Sequence, residues 1–308
     1  KEIATRWQRH QNIAIWEIYS EVNLTRGVAE ENGVAFVERA AAAIREADPA
    51  LRPVTASLAD VGEWPTFYQS DALDLINIHP YPPSGKLDQK IIADVRALLG
   101  KYQKPVMIGE SGLSAETPDR RPATLTTAAR AEVGLRHAIW AALVSGAMNG
   151  RAFYWEDGYA IYFPGLSWWF LEKYAAIERP AADFARDLRW DLAPIDAHLS
   201  SRITGAALGN DTTVAGWFRD AGCEPPNWLV QPVLSGESVT LDVPGSAITW
   251  QVDFYDPTTG TGILPSATAT RQGSSVRVEL PDFSDAIAFK MHAQAGSQDL
   301  PAAATPRP

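Results

Sequence analysis

The first part of the chain switches repeatedly between two spacings of apolar residues. Runs of β-prone apolar residues at Ile13–Ile18, Pro53–Ser57, Leu75–His79, Pro105–Gly109 and Arg151–Trp155 read as strands. Between them the spacing becomes helical. Val37, Ala41 and Ile44 line one face of a helix that ends at Asp48-Pro49, and Ile91, Ile92, Val95, Leu98 and Leu99 line the next, stopped by Gly100. A long helix is predicted from about Thr124 to Ser145, another over Ser167 to Ile177, and a short one over Glu2–His10 ahead of the first strand. Strands alternating with helices in this way build a parallel sheet.

From about Arg189 the texture changes to short β-rich runs separated by turn signals. These are Thr212–Arg219, Asn227–Val233, Ser238–Val243, Ile248–Tyr255, Ser274–Leu280 and Ala286–His292, with Asp256-Pro257-Thr258-Thr259-Gly260 a strong turn between two of them. The predicted fold class is therefore α/β: an incomplete (β/α)8 TIM-type barrel over residues 1–188, then an all-β sandwich over 189–296 and a loose tail over 297–308. The barrel is predicted to be incomplete because five strand-helix units fall short of eight. Unpaired backbone on its first and last strands recruits other strands, which predicts a homo-oligomer held through barrel edges, or pairing with a further segment.

Composition narrows the partners. A chain of 308 residues with 46% hydrophobic and 21% charged residues is ordinary for a globular protein with a large core. Its formal net charge of −10 argues against nucleic acid, whose binders need a cationic face, and neutral polymers fit better. No run reaches the length of a membrane span, so no membrane partner is expected. No signal-peptide pattern opens the chain, but processed secreted or periplasmic enzymes look the same, so the compartment stays open. Cys223 is the single cysteine and lies far in sequence from any base, which argues against a nucleophilic role. His10, His137, His198 and His292 lack metal-ligand spacing, and no phosphate loop or Gly-x-Ser-x-Gly elbow follows a strand, so neither metal nor cofactor is expected.

Two glutamates carry the candidate chemistry. Glu21, in Trp16-Glu-Ile-Tyr-Ser-Glu-Val-Asn23, and Glu110, in Ile108-Gly-Glu-Ser-Gly112, each follow a predicted strand and open a polar or Gly-rich loop. Carboxylates placed in this way equip glycoside hydrolysis, in which one gives a proton to the leaving oxygen while the other attacks or activates water. A retaining mechanism needs the two carboxyls roughly 5–5.5 Å apart, flanking one anomeric carbon. Glu17, four residues before Glu21, is expected to point into the barrel as a structural charge or an orienter of the site, and it rivals Glu21 for the acid role.

The Trp16–Asn23 segment resembles the Trp-Glu-Leu-Trp-Asn-Glu-Val-Asn signature that ends the fourth strand in glycoside hydrolase family 5 and its clan A relatives. Ile108–Gly112 is similar to their seventh-strand motif, Ile78-His-Pro-Tyr81 to the sixth-strand His-x-Tyr, and Tyr154-Trp-Glu-Asp-Gly-Tyr159 to the aromatic eighth-strand segment. The resemblance covers nearly the whole chain and lacks only the part equivalent to strands one to three. It implies a cellulase- or mannanase-like retaining glycosidase with Glu21 as acid/base and Glu110 as nucleophile. It further implies a carbohydrate substrate held by Ser20, His79, Tyr81, Trp155, Asp157 and Tyr159. Tyr81 would hydrogen-bond the nucleophile, and Trp155 would lie under a sugar ring. Ser20 departs from the family, whose Asn at this place grips the hydroxyl next to the anomeric carbon; a serine hydroxyl is shorter and offers one donor where the amide offers two. Packing readings stand beside these roles: His79 as a strand cap, Tyr81 against its prolines, Trp64 as a loop anchor rather than a subsite ring, and Trp217, Trp228 and Trp250 as buried strand residues rather than glycan platforms. The alternative function is a degenerate, truncated glycosidase that binds glycan without cleaving it.

Overall fold

The computed structural model describes residues 1–112, 125–150, 167–189, 191–225, 228–230 and 232–294. The chain divides into two compact units, Lys1–Ile177 with Glu224–Trp228, and Glu178–Cys223 with Leu229–Pro308. Among the described residues no helix is long and apolar enough to cross a membrane.

The first unit opens with α1 (Glu2–Trp7), β1 (Trp16–Glu17), α2 (Glu30–Ala47), β2 (Val54–Thr55) and β3 (Ser57–Leu58). It continues through β4 (Ile76–Ile78), α3 (Leu87–Tyr102), β5 (Val106–Ile108) and α4 (Leu125–Ser145). β1 runs parallel to β2, with Glu17 opposite Thr55. Past a break at Ala56, β3, β4 and β5 form a parallel ladder in which Ser57 faces Asn77 and Asn77 faces Met107. Spatial order thus follows chain order, as in a parallel barrel. After α4 the chain returns along β5: Met148 N–H donates to the Val106 carbonyl at 2.8 Å, and the Asn149 amide bonds the Ile108 N–H and carbonyl at 2.8 and 2.9 Å. The strand predicted at Arg151–Trp155 lies outside the described residues.

Local chemistry sets the element ends. β1 is shorter than its apolar run because the Arg52 guanidinium takes the His10 and Ile13 carbonyls at 2.9 and 2.8 Å, leaving the start of that run out of the ladder. α2 carries Glu30 and Glu31 in its first turn, where the helix dipole favours negative charge, and buries Val37 and Ala41. α3 overruns the stop predicted at Gly100 and ends where Gln103 turns left-handed at φ 52°. A lone glycine costs a helix only about 1 kcal/mol, which is a weakness and not a terminator. Helix α5 (Ser167–Ala185) likewise passes Ile177 and continues through Pro180. Val37, Leu58, Phe67, Ile76, Ile91 and Ile108 belong to the core of this unit. Trp64 is buried at 6% exposure against Gly33 and Phe67, which makes it a loop anchor and not a subsite ring.

The second unit contains β6 (Ala193–Ile195), β7 (Ala197–His198), β8 (Ile203–Gly209), β9 (Thr213–Asp220) and β10 (Ser238–Leu241). β11 (Thr249–Tyr255), β12 (Gly262–Gln272), β13 (Ser275–Glu279) and β14 (Ala286–Ala293) complete it. The strands of this unit connect antiparallel in the order β6-β8-β9-β14-β11-β12-β13-β10-β7, continuous through β12. The long β12 joins its halves, pairing with β11 over most of its length and with β13 at Arg271 and Gln272. Phe218, Trp250 and Phe289 from one half share a core with Val239, Leu241 and Val276 from the other.

The pattern missed β8 because Ile-Thr-Gly-Ala-Ala-Leu-Gly has few β-branched residues. Tertiary packing requires those small residues, since a Cβ at Gly205 would stand 2.1 Å from the Trp217 carbonyl. Trp217 and Trp250 are fully buried in strands, whereas Trp228, expected in a strand over Asn227–Val233, sits in a loop with its indole against Gly134 of α4. The described part of that run forms no strand, and Leu234 just beyond it bridges to Phe283.

Trp64→Ala should destabilise the first unit by about 3–5 kcal/mol, the usual cost of emptying a buried indole site, as read from urea unfolding. Asp48, almost fully buried at the end of α2, accepts hydrogen bonds from Trp16 Nε1 at 2.8 Å, Arg52 at 2.7 Å and the Ala50 N–H at 3.1 Å. Burial pushes its carboxyl up, but these bonds and the Arg52 charge prevail and hold it below 3.8. Its contribution is therefore complete above pH 3.8 and is lost as pH falls through the lower folded value. Acid titration of unfolding should show this loss, and Asp48→Asn should flatten that part of the profile.

Candidate functional site

The parallel ladder ends at one rim, and the candidate residues sit on the turns that follow it. Beyond β1 the pairing persists through Ile18 N–H to the Thr55 carbonyl at 2.8 Å and Ser57 N–H to the Tyr19 carbonyl at 3.1 Å. The chain then breaks at Glu21, which is left-handed at φ 53°, ψ 50°, and enters a short 3-10 turn over Val22–Leu24. Non-glycine residues adopt that conformation only where surrounding bonds enforce it. Here the Glu21 N–H donates to Ser57 Oγ at 2.9 Å, and Asn23 Oδ1 accepts the Ala59 N–H at 2.9 Å. Asn23 also donates to the Glu63 carboxylate.

His79 follows β4 with its side chain only 1% exposed, and its Nδ1 lies 3.0 Å from Glu21 Oε1 and 3.5 Å from Glu110 Oε2. Tyr81 donates its hydroxyl to the same Glu110 Oε2 at 3.2 Å. One oxygen of Glu21, one of Glu110 and a His79 nitrogen all fall within 4.8 Å of one another. Both carboxylates remain about a quarter exposed, at 27% and 26%. The pair is thus held from the buried side and open on the other. These three residues also form a nitrogen and two-oxygen donor set of a kind a divalent cation could use, although the His79–Glu21 hydrogen bond and the His79–Glu110 contact account for the spacing by themselves.

Beneath the pair lies a layer of inward polar residues that the sequence reading did not assign. Ser57 and Asn77, both fully buried, donate to the same oxygen of Glu17, Oε1, each at 3.0 Å. Their signal was present as a serine and an asparagine at strand positions inside apolar runs. Glu17 itself is exposed, contrary to the expected buried carboxylate, and meets the layer from its open side. Tyr68, buried behind β4, donates to the Asn77 carbonyl at 2.6 Å. Burial pushes its hydroxyl far up, so it stays neutral and acts as a donor. Gly109 fits directly against the Asn77 amide, since a Cβ there would stand 2.2 Å from Oδ1.

Of the residues singled out, Glu21, Glu110, His79 and Tyr81 converge. Ser20 is exposed beside Glu21, and Trp155, Asp157 and Tyr159 lie outside the described residues.

No family model matches this chain, and no curated protein does either. Among solved structures it is similar to a family 30 endoxylanase from Clostridium papyrosolvens C71, with TM-score 0.53 and 13% identity over 95% of this chain and 72% of that one. A family 5 glycoside hydrolase from Bacteroides vulgatus ATCC 8482 gives TM-score 0.60 and 13% identity, covering 98% and 67% of the two chains. Another glycoside hydrolase gives 0.55 and 12%, covering 94% and 67%. The fold is that of solved glycoside hydrolases. The chain spans about two thirds to three quarters of the length of these structures, and family 5 is not singled out, because families 5 and 30 match at the same identity.

Gly109→Ala should cost about 1–3 kcal/mol through overpacking against Asn77, as measured by denaturant unfolding.

Proposed function

We propose that this chain is a retaining β-glycoside hydrolase of clan A type, acting on a β-linked glycan or oligosaccharide by double displacement. The observation that carries the reading is the approach of Glu21 and Glu110 oxygens to within 4.8 Å across His79, on the open rim of a parallel ladder. That spacing suits two carboxyls serving one anomeric carbon, as a retaining mechanism requires.

In this mechanism Glu110 attacks the anomeric carbon while Glu21, protonated, gives its proton to the departing oxygen; Glu21 then takes a proton from the water that releases the glycosyl-enzyme. His79 and Tyr81 both approach Glu110 on Oε2, which leaves Oε1 to form the bond. His79 Nδ1, hydrogen-bonded to Glu21 Oε1, fixes the orientation of the acid/base. No cofactor or metal enters these steps. Ser20 would reach the hydroxyl next to the anomeric carbon more weakly than an asparagine, and Trp155, Asp157 and Tyr159 would supply the sugar platform and hydroxyl contacts. Self-association belongs to the same proposal: among the described residues β1 pairs with β2 alone, and an open strand edge recruits further strands. Light scattering reads that directly.

Aryl β-glycosides, β-glucans and β-mannans should release product with the anomeric configuration retained, as followed by proton NMR. Glu110→Gln should abolish turnover with folding intact. Glu21→Gln should lose about 10²- to 10⁴-fold on substrates with poor leaving groups and much less on activated aryl glycosides, which need no proton. Full activity of Glu110→Gln on every responsive glycoside would sink the assignment. The exposed Ser20 favours one second reading, a glycan-binding protein without turnover, for which calorimetry would show binding to the same sugars and no product.

A further inference from the structure

The left-handed backbone at Glu21 needs an explanation, because nothing in the Tyr-Ser-Glu-Val sequence favours φ of 53° at that residue. Its N–H is held by Ser57 Oγ, and a hydroxyl oriented to accept must send its own hydrogen elsewhere. That hydrogen goes to Glu17 Oε1. The same oxygen takes a hydrogen from Asn77 Nδ2, and Asn77 lies against Gly109, the residue before Glu110. Asn77 Oδ1 is buried with no hydrogen-bond partner among the described residues. A buried acceptor left unsatisfied is costly, so an apolar residue would pack there more favourably if the amide did nothing. The end of the amide that is used is the one aimed at Glu17.

We infer that Glu17 is the positioning residue of the site: a single carboxylate oxygen fixes Ser57 and Asn77, and through them the backbones that carry Glu21 and Glu110. Charge is not what this requires. A glutamine presents the same carbonyl acceptor, so Glu17→Gln should keep the brace, whereas Glu17→Leu, of similar bulk and without an acceptor, should release Ser57 Oγ and relax Glu21.

The inference rests on the glycosidase reading for its catalytic consequence but not for its structural one, so two measurements are needed. The first is amide hydrogen exchange by NMR on wild type, Glu17→Gln and Glu17→Leu. The Glu21 N–H should exchange at least about tenfold faster in Glu17→Leu alone, while the Ile76 and Gly109 N–H groups, bonded across the β4–β5 ladder, stay protected in all three. The second is steady-state kinetics on the best aryl glycoside. Glu17→Leu should lower kcat by about 10- to 100-fold with KM nearly unchanged, since small misplacements of catalytic groups cost that much, and Glu17→Gln should restore it. Equal protection of Glu21 in wild type and Glu17→Leu would overturn the brace, as would loss of the ladder amides along with it, which would mark a general packing role. Impairment of Glu17→Gln to the level of Glu17→Leu would also overturn it and make the charge the active quantity. Absence of turnover in wild type would refute the glycosidase reading and leave the exchange result to decide the brace.

Discussion

Two carboxyls within 4.8 Å would repel each other by a few kcal/mol at an effective dielectric of about 20 if both were ionised, so a site built on them needs a fixed polar group between them. His79 supplies it. Its ring is almost wholly buried after β4, with Nδ1 directed at both acids, so the imidazole cannot swing away while the carboxylates keep a quarter of their surface open. The neighbouring Tyr81 arrives from the same turn and takes one Glu110 oxygen, which leaves the two acids asymmetric in their surroundings. That asymmetry is what a division into proton donor and nucleophile calls for.

The parallel register makes this convergence possible. Because Ser57 faces Asn77 across β3 and β4, and β1 lies beside β2, polar side chains of β1, β3 and β4 meet at one level. In the turns immediately beyond stand Glu21, His79 and Glu110. Strand ends in a parallel sheet all point the same way, so residues more than eighty positions apart in sequence meet at one rim. The second unit follows a different logic. Its long β12 carries one antiparallel sheet round from β11 to β13 and lets both halves bury their apolar faces in a single core.

Much of this was legible in the residues. The apolar runs marked the regions of β1 to β5, the 3.6-residue spacing marked α2 and α3, and Glu21 and Glu110 stood out because each ends such a run beside a polar loop. His79 and Tyr81 were legible through the resemblance of their motif. Other features were not. Gly100 looked like a helix stop, but its local cost is smaller than what burying Ile91, Val95 and Leu98 contributes, so α3 continued. Trp228 looked like a strand residue because its neighbours are apolar, yet its ring is placed by a glycine on α4 that nothing nearby in sequence reveals. Glu17 looked buried, since strand alternation assigns a face without saying how much of that face is covered.

Sequence alone determined the period of most elements, the side chains able to move a proton, and the net charge that argues against a polyanionic partner, because these depend on residue type and near neighbours. Only the tertiary structure decided that Glu21 turns left-handed, that Ser57 and Asn77 share one oxygen of Glu17, and that a single imidazole spans both acids. Each of those depends on ångström-scale distances between strands far apart in the chain, and such distances are set by register and packing.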